Sequence, residues 1–268
     1  MKFKKLLSGI YYFTRRDDNK LRASSLCGAP LYTYKGTIRS KPDQDDTWFF
    51  HLAKHHNVIF DIGANVGYTA LLAMIQNPNR EYLLVDPNPL ALEKAFGNLL
   101  NNNLGFKARY YSAFESDKSN EEVKFYTLGS GAAGSMHASH AESAASIGAY
   151  KKVSTVTLDF LYTYFDLKPD LVKIDVEGAE LQVLQGAKKL IQTHRPILIF
   201  ECGKGASEYY GTTPEDVFEL LSEEYQLQLA TLEQFNSNGK VLSKAAFLDH
   251  YEKGSEYYFV AHELIRGL

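Results

Sequence analysis

Residues 58–67 have the sequence VIFDIGANVG, and this stretch decides the fold. Its first three residues are apolar, too few for a helix and rich in β-formers, which predicts a buried strand. Asp61 ends the apolar run, a turn with two glycines follows, and residues 68–75 have a helical pattern. A strand, a glycine turn and a helix in this order are typical of an α/β sheet that presents backbone N–H groups to a ligand.

The spacing of the glycines narrows the choice of ligand. A dinucleotide-binding turn would have the pattern G-x-G-x-x-G, but its second glycine is Asn65 here. The pattern is D-x-G-x-x-x-G, the first signature of methyltransferases that use S-adenosylmethionine (SAM). Gly63 and Gly67 would let the chain approach the methionine end of SAM, and Asp61 would take its amino group directly or through water. An ordinary turn of another α/β protein is the alternative.

The composition excludes several classes of protein. The net charge of -3, from 29 basic and 32 acidic residues, gives no reason to expect a nucleic-acid partner. Two cysteines far apart in the sequence, Cys27 and Cys202, form no disulfide framework and suit a reducing cytosol, so we expect a cytoplasmic protein. No apolar run approaches the roughly 18–20 residues of a membrane span.

The length of 268 residues allows one α/β domain with an appended segment. We predict an accessory segment over residues 1–45 and the main domain over residues 46–268. The start, MKFKKLLSGIYYF, is basic and then apolar without a clean cleavage site, which favours a first helix over a signal peptide. A weak amphipathic attachment to a membrane surface is the alternative for this helix.

A second buried strand is predicted at residues 81–86, EYLLVD. It ends in Asp86, which lies 25 residues after Asp61. In nucleotide-binding α/β folds an acid at this strand end binds the ribose hydroxyls, which assigns that role to Asp86. Asn88 is then the cap of a helix that starts with Pro89. Five apolar side chains of that helix are expected to face the sheet: Leu92, Ala95, Phe96, Leu99 and Leu100.

The segment from Gly129 to Gly148 differs from the rest of the chain in being rich in Gly, Ala and Ser. Such a segment is either a disordered surface loop or a lid over the pocket of the methyl acceptor. It carries His137 and His140, but no third metal ligand is evident, so we expect no metal.

A second informative stretch, DLVKIDVEGAE, spans residues 170–180. It predicts a strand over residues 171–174 with Asp175 at its end, a turn with Glu177, and one helix through residue 191. A fifth buried strand, RPILIFE, ends in Glu201. The last two strands, at residues 226–231 and 256–262, are predicted without a long helix between them.

These stretches together resemble the FkbM-type methyltransferases. The resemblance rests on DIGANVGYT, VDPNP and the run from TLD through DLVKIDVEGAELQVLQGA to RPILIFE, and it spans about residues 46–201. It implies the class I methyltransferase fold, a Rossmann-like α/β arrangement with a seven-stranded, mostly parallel sheet, an antiparallel last strand and helices on both faces. Two departures are Asp86, where the family often has Glu, and a longer loop before Val153.

The resemblance also implies a SAM-dependent enzyme that methylates a hydroxyl and leaves S-adenosylhomocysteine. Known members act on sugars of surface polysaccharides or on polyketide macrocycles, so we expect a sugar or glycan acceptor, with a polyketide or another small natural product as the alternative. The positions matching the family's cofactor residues are Gly63, Asn65, Gly67 and Asp86. Further candidates adjoin them or follow the third strand, where adenine would lie: Tyr68, Thr69, Pro87, Asn88, Ser112, Ala113 and Phe114.

A base is expected at the carboxyl ends of the strands, since a hydroxyl of high pKa gains from one. Asp175 is the first candidate, Glu201 the second, and Glu177 an orienting residue or base. Lys173 lies one residue before the end of the strand over residues 171–174. The alternative to a role in the site is that its side chain extends to the edge of the sheet. A non-catalytic SAM-binding protein and a nicotinamide oxidoreductase are the rival hypotheses, and neither the acceptor nor the oligomeric state follows from the sequence.

Overall fold

The computed structural model describes residues 20–39, 41, 43–129, 134–237 and 239–263. The first helix predicted at the N-terminus lies outside them. The described strands, in chain order, are β1 Leu21–Leu26, β2 Ala29–Tyr34, β3 Val58–Ile62, β4 Glu81–Val85, β5 Ala108–Tyr111, β6 Phe114–Glu115, β7 Glu122–Tyr126, β8 Tyr150–Val156, β9 Leu171–Ile174, β10 Ile197–Glu201, β11 Gln228–Thr231 and β12 Tyr258–His262.

The helices lie between these strands. They are α1 Gln44–Ala53, α2 Tyr68–Met74, α3 Pro89–Leu100, α4 Glu142–Ser146, α5 Leu158–Phe165, α6 Glu180–Gln185, α7 Lys188–His194, α8 Pro214–Glu219, α9 Leu232–Asn236 and α10 Lys244–Lys253. A 3-10 turn covers Ser207–Tyr210, and α8 continues into one π-helical turn, Leu220–Glu224. None of the helices in the described ranges has the length and apolar character needed to cross a membrane.

Seven strands form the central sheet in the order β11–β12–β10–β9–β3–β4–β5. The five strands from β10 to β5 are parallel, whereas β12 runs antiparallel to both β10 and β11. Strand order reverses between β3 and β9, and an open α/β sheet binds its ligand at such a point, beyond the carboxyl ends of the strands. The predicted class I fold with its antiparallel last strand is confirmed.

The core lies on both faces of this sheet, because successive side chains of the strands point in opposite directions. In β3, Ile59 belongs to the apolar cluster shared with α1, α2 and α3, while Phe60 and Ile62 belong to the cluster under α5 to α8 and α10. All three side chains are fully buried. Helices therefore cover both faces, as predicted.

The helix starts follow local sequence signals. Asn88 caps α3 through the N–H of Leu90, and Pro89 takes the first helical position, as predicted. Thr213 and Asp216 form a reciprocal capping box at α8. On α3, Leu92, Ala95 and Leu99 are buried as expected, but Phe96 and Leu100 are 48% and 53% exposed, so their predicted packing on the sheet was wrong.

The single helix predicted through residue 191 is broken into α6 and α7. The Gly186 carbonyl accepts a hydrogen bond from the Asp159 N–H (2.9 Å), which takes it out of the helical ladder. The Asp159 carboxylate then accepts from the N–H groups of Lys189 (3.0 Å) and Leu190 (2.8 Å). Lys188 and Lys189 therefore lie in the first turn of α7, not in the last turns of one long helix.

One further expectation was also wrong. The ten-residue helix α10 lies between β11 and β12, where no long helix was predicted. Strand β7 belongs to a separate three-stranded sheet, β6–β8–β7, and not to the central sheet. That small sheet begins directly after β5 and extends over the carboxyl edge of the central sheet, so it contributes to the ligand side of the molecule.

The hairpin β1–β2 packs on α3 through one buried amide. Asn98, on α3, accepts the Tyr34 N–H (2.9 Å) and donates to the Thr37 hydroxyl and the Val66 carbonyl, both at 2.9 Å. Asn98 has no exposed surface. The boundary predicted between residues 45 and 46 falls inside α1, and the division into an accessory segment and a main domain stays a prediction.

We predict that Asn98→Ala lowers the free energy of unfolding by about 1–3 kcal/mol, because it leaves the half-buried Tyr34 N–H and Val66 carbonyl and the buried Thr37 hydroxyl without this partner. Asn101→Ala is the matched control, since this neighbouring exposed amide bonds only the Gly97 carbonyl of its own helix (2.6 Å) and should cost about 0.5 kcal/mol. Urea unfolding of both variants measures the difference. Equal losses would show that the amide does not anchor the hairpin.

Candidate functional site

The turn after β3 depends on three residues in the left-handed region: Gly63 (φ 79°), Asn65 (φ 47°) and Gly67 (φ 79°). A Cβ on Gly63 would overlap the backbone carbonyl of Asp175, at the end of β9. A Cβ on Gly67 would lie 2.9 Å from the Ala95 side chain of α3. The two glycines therefore let the ends of β3 and β9 touch and let α2 pack against α3.

Asp86 connects the turn after β3 to the turn after β4. Its buried carboxylate accepts from the Asn65 N–H (2.8 Å) with one oxygen and from the Asn88 N–H (2.7 Å) with the other. Burial raises its pKa to about 6 despite these two bonds. Asp86 lines the cleft described below, and each of its oxygens keeps a lone pair for a ligand hydroxyl.

Asp61 lies beneath the turn, not on its surface. Its side chain has no exposed area and accepts from the hydroxyls of Thr69 (2.5 Å) and Tyr82 (3.1 Å). Thr69 itself lines the cleft. Asp61 does not line the cleft and supports Thr69 from below, while its second oxygen has no hydrogen-bond partner. The expected contact with a ligand amino group, directly or through water, stays a prediction.

A buried cation connects the two motifs. The Lys173 ammonium lies 3.0 Å from an Asp175 oxygen and 3.8 Å from Asp61. Burial alone would lower the pKa of Lys173, but the two acids hold it above its usual value. Tyr258, from β12, donates to the same Asp175 oxygen at 2.8 Å. Lys173 therefore does not extend to the sheet edge.

The three candidate catalytic acids occupy different environments. Burial alone would raise the pKa of Asp175, but Lys173 and Tyr258 bring it below the usual value, so Asp175 is ionised. Burial and then the charge of Asp175 raise the pKa of Glu201 to about 9, which favours its protonated form. Glu201 lies outside the cleft, against a small separate cavity beside Cys202.

Glu177 follows in a strained turn. Its φ of 58° is uncommon for a residue with a Cβ, and such strain is concentrated at functional sites. The buried Glu180 folds this turn by accepting the N–H groups of Val176 (3.0 Å) and Gly178 (3.2 Å). Glu177 lines the cleft, and burial, followed by the charge of Asp175, raises its pKa.

A cleft of about 240 Å³ opens above these groups. Four of the predicted cofactor residues do not line it: Ser112 is exposed, and Asp61, Gly67 and Ala113 are buried. Sequence reasoning missed Arg39, Glu115 and Tyr258. The predicted residues that line the cleft are Gly63, Asn65, Tyr68, Thr69, Asp86, Pro87, Asn88, Phe114, Asp175 and Glu177.

The segment before α1 forms one wall of the cleft. Arg39 pairs with Asp43, lies 3.5 Å from Asp46, and stacks over the Tyr68 ring at 5.2 Å. Tyr68 in turn donates to Asp46 (2.9 Å). This wall of the cleft therefore links charged groups of the predicted accessory segment, Arg39 and Asp43, to Asp46 and Tyr68 of the predicted main domain.

The described part of the Gly- and Ala-rich segment, residues 134–148, packs against the fold. Ser135 pairs with Tyr126 as a β-bridge, His137 packs edge-on against Tyr210, and His140 stacks on Tyr209. Gly134 lines the cleft. Across the ranges that the structure describes, no three His, Cys, Asp or Glu side chains are grouped to hold a metal ion.

A family model agrees with this geometry. The methyltransferase FkbM domain matches residues 61–228, which is more than half of the chain. The chain belongs to the FkbM methyltransferase family. The resemblance seen in the sequence is thereby confirmed, and the protein is a SAM-dependent methyltransferase. A search of curated proteins gave no match.

Among solved structures, an FkbM methyltransferase from Methylobacillus flagellatus KT is similar with a TM-score of 0.47 and 13% identity over 77% of this chain. This chain spans 43% of the length of that one. A SAM-dependent methyltransferase from Agrobacterium tumefaciens (TM-score 0.46, 12% identity, 91% of this chain, 70% of that one) is also similar. A precorrin-6y C5,15-methyltransferase from Geobacter metallireducens GS-15 is similar too, with a TM-score of 0.44 and 12% identity, over 87% of this chain and 94% of that one.

The residues of the cleft fit SAM. The ribose hydroxyls suit Asp86, and the methionine chain suits the Gly63 turn, where no Cβ blocks the approach. The side-chain oxygen of Asn65 is buried without a hydrogen-bond partner, so it is available to a donor on a ligand. Acidic side chains outnumber basic ones along the cleft, which suits a ligand that carries a sulfonium and an ammonium.

We predict that Gly63→Ala destabilises the FkbM methyltransferase by roughly 2–5 kcal/mol, because the new methyl group overlaps the Asp175 backbone. Gly28→Ala is the control. Gly28 has nearly the same φ, 82°, but open space around it, so only the left-handed cost of about 1–2 kcal/mol applies. Chemical denaturation compares the two, and equal losses would contradict the close packing of β3 on β9.

Proposed function

We propose that this protein transfers the methyl group of SAM to a hydroxyl of a sugar or glycan. The observation that carries the proposal is the ionised Asp175, held by Lys173 and Tyr258 on the cleft and followed two residues later by Glu177. Carboxylates in this position can orient a hydroxyl and take its proton. A location in the cytosol, where SAM is made, is part of the proposal.

SAM, when bound, supplies a methyl group that is already activated by its sulfonium. The protein has to hold the acceptor oxygen in line with that group and exclude water. Asp175 accepts the hydrogen bond of the acceptor hydroxyl and so orients it. Its low pKa makes it a strong anchor for a hydroxyl and a weak base.

Glu177 is the better base of the two. Its pKa is raised by burial and by Asp175, and a base is most effective when its pKa approaches the working pH. Glu201 does not touch the cleft. It stays protonated beside Asp175 and so keeps that carboxylate oriented, which makes it a positioning residue.

The walls of the cleft favour a polyol over an apolar macrocycle as the acceptor. Asp43, Asp45, Asp46 and Arg39 also line the cleft, and carboxylates and guanidinium groups are partners for sugar hydroxyls. Burial, and then the charge of Asp43, raises the pKa of Asp45 to about 6, which still leaves it mostly an acceptor at neutral pH, while Arg39 supplies the donors. A small natural product with a hydroxyl is the second candidate.

The test compares Asp175→Asn and Glu177→Gln with the surface control Glu224→Gln, using SAM and a panel of glycosides, amines and carboxylic acids. We predict that each of the two site variants lowers kcat with a glycoside by about 10²–10⁴-fold, while SAM binding by calorimetry persists. In Glu177→Gln the rise of kcat with pH that a base produces should also disappear.

Methyl transfer only to amines or carboxylic acids would contradict O-methylation. Unchanged kcat in both site variants would contradict the roles of the two carboxylates. Binding of SAM without turnover of any acceptor would support the non-catalytic hypothesis. Persistent SAM binding also shows that a variant is folded, which matters for Asp175→Asn because this change leaves Lys173 without its closest partner.

A further inference from the structure

Glu115 is a buried acid of the cleft for which the mechanism above has no use. It ends the short strand β6, and its side chain is 1% exposed yet lines the cleft. Its neighbours across β6 and β8 are uncharged, since Phe114 pairs with Thr155 and Glu115 with Val156. A glutamate buried in this way needs a reason, because the burial of a carboxyl group without full hydrogen bonding is costly.

The carboxyl group is incompletely paired within the protein. Its Oε1 atom is buried without a hydrogen-bond partner. The backbone N–H groups of Gly63 and of Glu115 itself act on this carboxyl group, but the Gly63 N–H donates its hydrogen bond to the Val85 carbonyl (3.0 Å). The charged groups that act on it most strongly are Asp86, at the end of β4, and Asp61, in β3, and both are acidic. Both of these neighbours disfavour the charged form of Glu115, so a cation bound in the cleft beside it would stabilise the carboxylate.

The position of Glu115 indicates which ligand group supplies that charge. Asp86 is the ribose anchor and Gly63 is the turn that faces the methionine chain, and Glu115 is close to both. In SAM the sulfur joins the ribose carbon C5′ to the methionine chain, so the atom between these two anchors is the sulfonium. We propose that Glu115 is the counter-charge of the SAM sulfonium and makes the protein prefer SAM to its neutral product.

The proposal assigns a change of protonation to binding. In the free protein, burial and the charge of Asp86 raise the pKa of Glu115 well above its usual value, which favours the neutral carboxylic acid. A sulfonium beside it favours the carboxylate, and the proton passes to the solvent. S-adenosylhomocysteine has an uncharged thioether there, so Glu115 keeps its proton. After methyl transfer, Glu115 regains a proton from solvent and the preference for the bound nucleoside falls.

This inference rests on SAM as the methyl donor, and calorimetry with two nucleosides tests it separately. The dissociation constants of SAM and S-adenosylhomocysteine are measured for the wild type and Glu115→Gln from pH 6 to pH 9. The readout is the ratio of the two constants, because groups that contact both nucleosides alike, such as Asp86 and the ligand's own amino group, cancel in it. Sinefungin, with an ammonium group in place of the sulfonium, is the third ligand.

We expect the wild-type preference for SAM over S-adenosylhomocysteine to rise with pH. The total rise should be about tenfold for each pKa unit by which the sulfonium lowers the pKa of Glu115. SAM binding should release protons, seen as a heat that depends on the ionisation enthalpy of the buffer, and sinefungin should behave as SAM does. Glu115→Gln should abolish the pH dependence of the ratio and the proton release, and keep the affinity for S-adenosylhomocysteine within about twofold.

Asp86→Asn is the comparison variant. It should weaken both nucleosides and, because the charge of Asp86 helps to raise the pKa of Glu115, move the pH dependence of the ratio to lower pH without abolishing it. A ratio in Glu115→Gln that equals the wild-type ratio at every pH would overturn the proposal. So would an equal loss of affinity for both nucleosides, which would make Glu115 a general part of the pocket. Failure of both nucleosides to bind the wild type would instead overturn the assignment of the cleft to SAM.

Discussion

One buried ammonium group, that of Lys173, holds the site together. It lies between Asp61, which supports the glycine turn after β3, and Asp175, which ends β9. Removal of one partner from a buried ion pair leaves an uncompensated charge and is far more costly than the net gain of forming the pair. The turn, the strand end and the orientation of Asp175 are therefore coupled, and the close approach at Gly63 is the steric counterpart of this coupling.

The buried acids around that pair differ in their protonation. Asp175 stays ionised beside its ammonium partner, whereas burial and neighbouring acids raise the pKa of Glu201 and of Glu115 and so favour their protonated forms. Each acid therefore has a separate task in our account: one orients a hydroxyl, one fixes that orientation, and one responds to the charge of the donor. Burial supplies the differences in pKa, and position decides their use.

The central sheet and half of the site could be predicted from the sequence, because the signals are local. Apolar runs, the glycine spacing and the caps Asn88 and Thr213 act within a few residues. Tyr258 reaches Asp175 across 83 residues, and Asp159 breaks the α6–α7 helix through N–H groups about 30 residues away. Such contacts leave no local pattern. Glu115 resembles any surface glutamate in sequence, and only its burial distinguishes it.

The central claim is that the cleft between the Gly63 turn and Asp86 holds the nucleoside. A crystal structure with S-adenosylhomocysteine tests it most directly. Our account predicts that the ribose hydroxyls bond to Asp86 and that the sulfur lies over Glu115, with the homocysteine chain along the glycine turn. A nucleoside bound elsewhere, or in the reverse direction with adenine against Gly63, would contradict the account.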